Sequence, residues 1–342
     1  MKAVLFREHG GPEVLSYEDL PEPMIGPEDV RVRVKACALN HLDIWIRQGN
    51  PAYPMTLPHV PGSDAAGIVE QVGWHVDSFT VGQRVFVSPG LSCWKCDQCL
   101  AGRDNLCRSY GLVGAKTHGS YAEYLKVPFR NVLPIPENLS FEQAAAFPLV
   151  SMTASHMLFA LAGLQHGETV LIMGAGSGVG SMAVQMAKLA GARVMATVGS
   201  DDKIPRAVTL GADAVINHTT EKVSERAKLL TEGHGVDVVI EHIGPEVWDT
   251  CLDSLARGGR LVTCGATTGG EVKLNLRYVF ARQLTIKGSY MGMRAELVKA
   301  SELMGQGRLT SVIDRTFPLH EARAAQELMI SRKFFGKIVL TV

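Results

Sequence analysis

The sequence predicts an α/β protein made of a β-rich domain and a domain built on a doubly wound parallel sheet. Up to about residue 150, short strand-like segments alternate with turns rich in proline and glycine. After about residue 165, apolar segments alternate with amphipathic ones, as in a parallel sheet covered by helices on both faces. The 342 residues are enough for about two such domains.

In the first part, strands are predicted where β-branched and aromatic residues lie between turn residues. These strands are 3–6, 30–34, 67–72 and 84–87. The long apolar stretch 144–163 contains Pro148 and His156, so we interpret it as a buried core helix rather than a membrane span.

In the second part, strands and helices are predicted in alternation. The predicted strands are 169–173, 193–197, 214–216, 236–240, 260–264 and 283–288. The predicted helices are 178–189, 202–210, 222–230 and 246–256. The tail adds a predicted helix at 321–330 and a final strand at 337–342.

The composition is that of an ordinary globular protein. Apolar residues make up 46% and charged residues 20%, and 34 basic side chains balance 34 acidic ones. This balance gives no support for a nucleic-acid or anionic-membrane partner. The first residues, MKAVLFREHGG, lack the apolar core of a secretory signal, so we expect a cytoplasmic location.

Four cysteines fall in one short segment, 90–110. Cys93, Cys96, Cys99 and Cys107 have the spacing C-x2-C-x2-C-x7-C. Four sulfur ligands this close in sequence are typical of a tetrahedral zinc site, which is closed and therefore structural. Two local disulfides are the alternative, but cytosolic chains seldom keep them. We predict one structural zinc per chain.

A glycine-rich turn follows the predicted strand 169–173 and opens the predicted helix 178–189. Its expected cofactor-binding residues are Gly174, Gly176, Ser177, Gly178, Val179 and Gly180. Glycines there allow the backbone to approach a pyrophosphate, and the helix N-terminus supplies free N–H groups. A flexible loop is the alternative, but the strand–turn–helix context favours a dinucleotide site.

The end of the second strand favours NADP(H) over NAD(H). An acidic residue there would bind the ribose 2′-hydroxyl and repel a 2′-phosphate, but none ends the strand 193–197. Ser200, Lys203 and Arg206 follow instead and can bind a phosphate through charge-assisted hydrogen bonds. The intervening acidic pair, 201–202, is interpreted as the start of the next helix.

The cysteine segment, the nucleotide fold and the segment HGSYAEY at 118–124 together resemble the medium-chain dehydrogenase/reductase superfamily. The resemblance implies a GroES-like catalytic domain from 1–149 and 291–342, with its structural zinc lobe at 90–110. It implies a Rossmann dinucleotide-binding domain at 150–290.

The same resemblance implies two further features of the second domain. Gly265 lies in a segment expected to pass the nicotinamide half of the cofactor. The segment 283–290 resembles the strand that pairs subunits in this superfamily, which implies a homodimer or homotetramer.

The departures from zinc alcohol dehydrogenases concern the catalytic zinc. The resemblance puts its three ligand positions at Asn40, Ser63 and near Leu149. An amide, a hydroxyl and a leucine do not form a zinc site, so we expect the structural zinc only. An alternative metal site would use His41, Asp43, His59 and Asp64. Three of these have an ordinary alternative role: His41 caps or packs near a helix start, His59 lies in a proline turn, and Asp43 pairs with Arg47.

The pattern Asn40-x-x-Asp43-x-x-x-Arg47, followed by Tyr53, resembles zinc-independent quinone oxidoreductases. We predict Asn40 as an amide donor and Tyr53 as a donor and proton source. The alternative for Tyr53 is a partly exposed loop tyrosine among prolines without a catalytic role. Ser63 is expected to be a polar cleft residue, and Asp43 is expected to orient Arg47.

The predicted activity is NAD(P)H-dependent hydride transfer to or from a small molecule: an activated carbonyl, a quinone or an α,β-unsaturated carbonyl compound. Without a zinc Lewis acid, acceptors already activated by conjugation suit the site best. The alternatives are an alcohol dehydrogenase and a non-catalytic cofactor-binding protein.

Overall fold

The computed structural model describes all 342 residues. They form two compact units, one from Met1–Leu149 with Met293–Val342 and one from Val150–Gly292. None of the helices is long and apolar enough to cross a lipid bilayer.

The elements are numbered along the chain. The strands are β1 Lys2–Leu5, β2 Ser16–Asp19, β3 Asp29–Ala38, β4 Asp64–Val72, β5 Arg84–Val87, β6 Gly90–Leu91, β7 Gly111–Leu112, β8 Tyr124–Pro128, β9 Val132–Pro134, β10 Thr169–Ile172, β11 Arg193–Val198, β12 Ala214–Asn217, β13 Val236–Glu241, β14 Leu255–Thr263, β15 Thr285–Gly288, β16 Ile313–Pro318 and β17 Lys337–Thr341. The α-helices are α1 His41–Gln48, α2 Asp97–Leu100, α3 Phe141–Ala146, α4 Pro148–Ser155, α5 Gly178–Leu189, α6 Ile204–Thr209, α7 Val223–Leu230, α8 Pro245–Ser254, α9 Leu276–Arg282, α10 Arg294–Gly305 and α11 Ala322–Ser331.

The first unit is built on a seven-stranded sheet with the order β16-β17-β3-β4-β5-β9, and β8 also pairs with β3. Every second residue in the first part of β3 is buried because successive side chains of a strand point to opposite faces, and Val30, Val32 and Val34 on one face enter the core. Gly67 lets β4 approach β3 closely, since a Cβ there would lie 2.1 Å from the Arg33 carbonyl oxygen.

This topology gathers three distant polar residues of the first unit. Asn40 follows the end of β3, Asp64 begins β4 opposite Ala38, and Lys337 begins β17, whose next residues pair with β3. The ends of the three neighbouring strands therefore bring these side chains together at the start of α1.

The second unit is a parallel sheet with the order β12-β11-β10-β13-β14-β15. The strand order reverses next to β10, and the carboxyl ends of parallel strands lie at one edge, where such sheets bind ligands. The predicted α/β class, with a β-rich part and a doubly wound parallel sheet, is confirmed.

The stretch predicted as one core helix, 144–163, is mostly helical but is not a single helix. Helix α3 ends at Ala146, α4 begins at Pro148, and the last turn, His156–Leu161, is a π-helix. Proline has no N–H and its ring crowds the preceding turn, so the chain restarts as a new helix there.

The predicted helix 246–256 also ends early. Helix α8 stops at Ser254 because Leu255 takes an extended conformation and pairs with Val236 as the first residue of β14. The predicted helix 202–210 divides into a 3₁₀ turn, Asp201–Lys203, and α6.

Candidate functional site

The four cysteines of the predicted zinc lobe converge, and their ligand atoms all lie within 4.8 Å of one another. The lobe runs between β6 and β7, which pair and close its base. All the cysteines are free thiols, and the Cys96 and Cys99 sulfurs are 3.6 Å apart, far longer than a disulfide bond of about 2.05 Å. The arrangement is that of a metal-binding cluster rather than two disulfides.

Backbone N–H groups favour the thiolate form of two of these cysteines, which is the form that binds a metal. The N–H groups of Lys95 and Cys96 lower the pKa of the Cys93 thiol, and those of Cys99 and Arg108 lower that of Cys96. Burial raises the pKa of the Cys99 thiol to about 12, and a divalent metal would supply the charge that deprotonates it. The donor set therefore fits a closed tetrathiolate zinc site.

A buried carboxylate of the lobe, Asp104, joins it to α10. The backbone N–H of Arg294, the first residue of α10, lies 3.1 Å from each oxygen of the Asp104 carboxylate. The Ser92 hydroxyl donates to the Asp104 carbonyl at 2.8 Å, and Arg294 Nε donates to the Arg130 carbonyl at 2.8 Å. Sequence reasoning missed this anchor because the two residues are 190 positions apart.

The glycine-rich turn has the geometry of a dinucleotide loop. Gly174 follows β10 with φ of +66°, and its N–H donates to Thr197 Oγ1 at 2.9 Å. Ser177 caps α5 by accepting the Gly180 N–H at 2.8 Å, and Gly176 lies in the turn before it. A Cβ on Gly180 would lie 2.2 Å from the Gly174 carbonyl oxygen, so the close packing of helix on turn requires glycine.

Gly178, Val179 and Gly180 form the first turn of α5. The Gly180 N–H is used by the Ser177 cap, and the N–H groups of Gly178 and Val179 have no intrahelical acceptor and suit an anion. Next to this turn, the Ser177 hydroxyl lies 3.0 Å from His242 Nε2. Burial lowers the pKa of His242, which favours a neutral ring. A Cβ on Gly265 would lie 2.5 Å from the His242 carbonyl oxygen, so Gly265 permits the ends of β13 and β14 to pack closely.

The residues predicted to favour NADP(H) follow the carboxyl end of β11. Ser200 and Lys203 are half-buried and Arg206 is exposed. The Asp201 carboxylate accepts the Asn217 side-chain N–H at 2.7 Å, so its charge is directed toward the end of β12.

Asn40, Asp64 and Lys337, here called the Asn40 cluster, form a buried polar group in the first unit. Asn40 Nδ2 donates to Asp64 Oδ2 at 2.9 Å, and Lys337 Nζ donates to Asn40 Oδ1 at 2.6 Å. Lys337 Nζ also lies 3.3 Å from Asp64 Oδ2. Asp64 Oδ1 accepts the backbone N–H of Leu149 at 3.0 Å. The polar atoms of the Asn40 amide are thus engaged by protein groups.

Asp43 does not pair with Arg47 as the i, i+4 spacing predicted. Asp43 Oδ2 accepts the Asn40 N–H at 2.9 Å and the Tyr121 hydroxyl at 3.0 Å. Arg47 turns the other way and donates to Gln326 Oε1 at 2.7 Å and to a backbone carbonyl. Asp43 is fully buried and caps α1, and burial raises its pKa to about 7.

The other predicted site residues differ in burial and in hydrogen-bond partners. Ser63 is fully buried and donates to the Val113 carbonyl at 2.8 Å, so the prediction of a polar cleft residue is wrong. Tyr53 is half-buried in the loop after α1. His59 is buried and hydrogen-bonded to the Gly114 carbonyl at 2.9 Å, and the ring of His41 packs edge-on against Trp45.

These contacts leave no metal-ligand set near α1. Of the 342 described residues, the four lobe cysteines are the one group of three or more possible ligand side chains that converges this closely. The alternative set of His41, Asp43, His59 and Asp64 does not converge, because each carboxylate is directed at hydrogen-bond donors of its own.

Comparison with known proteins agrees with both units. Residues 26–137 match the alcohol dehydrogenase GroES-like domain, and residues 178–306 match the zinc-binding dehydrogenase domain. The chain is 31% identical to an alcohol dehydrogenase of Geobacillus stearothermophilus over 344 residues, covering 100% of both. It is 33% identical to a quinone oxidoreductase of Pseudomonas aeruginosa over 350 residues, covering 99% of both. A solved NAD-dependent alcohol dehydrogenase is 46% identical, with a TM-score of 0.96 over 100% of both chains.

The fold, the nucleotide loop and these matches define an oxidoreductase of the dehydrogenase type. The chain belongs to the medium-chain dehydrogenase/reductase superfamily, with its GroES-like and Rossmann-like domains. The cysteine cluster and the match to the zinc-binding dehydrogenase domain support a zinc ion, and the dehydrogenase fold supports a nicotinamide cofactor.

Replacing one lobe cysteine tests the zinc site. We expect about one zinc per native chain and well under one in Cys96→Ser, because a hydroxyl is a poor substitute for a thiolate ligand. Elemental analysis after expression with added zinc measures this. Cys264→Ser, outside the lobe, is the control and should keep its zinc. A native chain without zinc, or a Cys96→Ser variant that retains it, would contradict the site.

Asp43→Asn tests the raised pKa of Asp43. With a pKa of about 7 when folded and about 3.9 when unfolded, the native state binds more protons across that window. The stability contributed by Asp43 is therefore present below about pH 4 and is lost as the pH rises through 7. We expect the native chain to lose up to about 1.4 kcal/mol per pH unit relative to the variant.

Urea unfolding of both proteins at several pH values between 4.5 and 8, a range chosen around that window, measures this difference. A difference in unfolding free energy that stays constant across the range would show that Asp43 is ionised throughout.

Proposed function

We propose that this protein is an NADP(H)-dependent reductase of quinones and α,β-unsaturated or otherwise activated carbonyl compounds, with a structural zinc only. The observation that supports this most directly is the Asn40 cluster. At the positions expected for a catalytic zinc, the chain carries an amide engaged by Asp64 and Lys337, a buried hydroxyl and a leucine. These groups suit acceptors that need no Lewis acid.

The nicotinamide, when bound, supplies or accepts the hydride at its C4 atom. The first turn of α5 binds the pyrophosphate through backbone N–H groups and the helix dipole, and Gly174 and Gly180 allow the close approach. Ser200, Lys203 and Arg206 bind the 2′-phosphate, which would explain a preference for NADP(H). Gly265 allows the segments after β13 and β14 to pack closely, and these segments would lie beside the nicotinamide half of the cofactor.

Among the predicted catalytic residues, we propose Tyr53 as the hydrogen-bond donor and proton source for the developing oxyanion. A well-placed neutral donor contributes about 3 kcal/mol to such a transition state. Asn40 and Asp43 position the start of α1 rather than act on the substrate, because their polar atoms already hold protein groups. Ser63 holds the backbone at Val113.

An alcohol dehydrogenase is the second candidate. It is favoured by the solved relative that is 46% identical and is described as an NAD-dependent alcohol dehydrogenase. The two candidates differ in cofactor, in substrate and in their response to removal of a catalytic metal.

Steady-state kinetics separates them. We expect NADPH to reduce 1,4-benzoquinone or a 2-alkenal with kcat/KM at least about tenfold above that of NADH, a difference of about 1.4 kcal/mol. Chelation mild enough to leave the structural zinc in place should not change this rate. Oxidation of simple alcohols with NAD⁺ that is abolished by the same chelation would establish the second candidate, and no turnover of any pair would leave a non-catalytic protein.

We also propose that the chain forms a homodimer or homotetramer through the edge of the second unit. Strand β15 is the outer strand of the parallel sheet, and most of its residues are exposed. Helix α9, which precedes β15 in the chain, exposes Leu276 and Phe280, at 70% and 69%. An unpaired edge flanked by exposed apolar side chains is a surface that another copy can cover.

Phe280→Glu tests this surface, because a charge there must be desolvated on association. We expect sedimentation of the native chain as two or four copies of 36.9 kDa, and a shift of the variant toward the monomer. Leu229→Glu, in the same unit and 68% exposed, is the matched control and should sediment like the native chain. A native chain that is monomeric at micromolar concentration would contradict the proposal.

A further inference from the structure

Lys337 is a buried lysine whose place in the molecule the predicted activity does not explain. It begins β17, its side chain is 4% exposed, and its Nζ atom has two oxygen partners, Asn40 Oδ1 at 2.6 Å and Asp64 Oδ2 at 3.3 Å. Lysine is almost never this buried without a partner, since its charge must be taken out of water. Its two oxygen partners take the place of that water.

The Asn40 cluster joins four separate segments of the first unit. Asn40 lies between β3 and α1, Asp64 begins β4, Lys337 begins β17, and the N–H of Leu149 at the start of α4 donates to Asp64 Oδ1 at 3.0 Å. Asp64 is fully buried, and its carboxylate accepts hydrogen bonds from Asn40 Nδ2, the Leu149 N–H and Lys337 Nζ. These three bonds hold the carboxylate in place.

The amide of Asn40 can take only one orientation in this cluster. An ammonium group donates and never accepts, so the atom that faces Lys337 must be the amide oxygen. The amide nitrogen then faces Asp64 Oδ2 at 2.9 Å, and the backbone N–H of Asn40 donates to Asp43. Lys337 thereby determines the orientation of the Asn40 side-chain amide at the N-terminus of α1.

We propose that Lys337 is a positioning residue whose ammonium, paired with the Asp64 carboxylate, holds Asn40 and Asp64 as one unit at the start of α1. This role rests on the proposed function, because positioning matters to activity only if the first unit is catalytic. The charge also acts on the second buried carboxylate, Asp43, since it lowers the pKa values of Asp43 and Asp64 against the effect of burial.

Two variants of Lys337 separate charge from packing. Lys337→Met keeps the length of the side chain without the ammonium, and Lys337→Arg keeps the charge. In NADPH-dependent quinone reduction, we expect Lys337→Met to lower kcat about 100-fold, as a displaced catalytic segment does, while KM for NADPH stays within about twofold. Lys337→Arg should recover most of the lost kcat.

Lys188→Met is the matched control, because it breaks an ion pair of 2.6 Å with Asp213 in the second unit. It should leave kcat within about twofold of the native value. If Lys337→Met keeps its kcat, or if Lys337→Arg is no better than Lys337→Met, the positioning role is wrong.

Urea unfolding tests the same cluster without any activity. We expect Lys337→Met to lower the unfolding midpoint because it leaves Asp64 buried without its cation. The double variant Lys337→Met with Asp64→Asn should be more stable than Lys337→Met alone, since it removes that uncompensated charge. If the two losses simply add, the pair is not coupled and the proposal fails. Coupling in a protein that reduces no acceptor would instead refute the proposed function while keeping the cluster.

Discussion

A charge buried inside a protein must have partners that replace water, and the contact between Lys337 and the Asn40–Asp64 pair meets this requirement where the ends of β3, β4 and β17 come together. The sheet order places the three strands side by side, and the cluster then ties their ends to the starts of α1 and α4. The polar cluster and the sheet therefore depend on each other, because neither the register of β17 nor the orientation of Asn40 is free once Lys337 is buried.

The cysteine lobe at 90–110 is held together in a different way from the Asn40 cluster. The segment between β6 and β7 is too short to bury a core of its own, and its four converging sulfurs form a site where one bound metal would replace that core. Its second attachment is electrostatic, since the Asp104 carboxylate receives the first N–H of α10, where the helix dipole favours a negative charge. This contact attaches the lobe to one end of α10.

The sequence predicted what depends on neighbours along the chain. The cysteine spacing and the glycine-rich turn are local patterns, and the structure has both as expected. The contacts of Lys337 with Asn40, 297 positions apart, depend on strand order, which no local pattern contains.

The expected pairing of Asp43 with Arg47 failed for a related reason. Helical spacing brings two side chains to one face, but Tyr121 and Gln326, from distant segments, offer each of them a better-placed partner. Similarly, the resemblance puts Ser63 at a functional position, yet Ser63 is fully buried and its hydroxyl donates to the Val113 backbone carbonyl.

The saturation of the Asn40 cluster also bears on which substrates the proposed site can activate. An alcohol must lose its hydroxyl proton before it gives up hydride, and a metal assists this by stabilising the alkoxide. The ammonium of Lys337 is positively charged like a metal ion, but its Nζ atom is already bonded to Asn40 Oδ1 at 2.6 Å and to Asp64 Oδ2 at 3.3 Å. A conjugated acceptor spreads its developing negative charge over its own atoms and asks only for a donor such as Tyr53. A cluster that neutralises its own charge therefore favours acceptors that are activated before they bind.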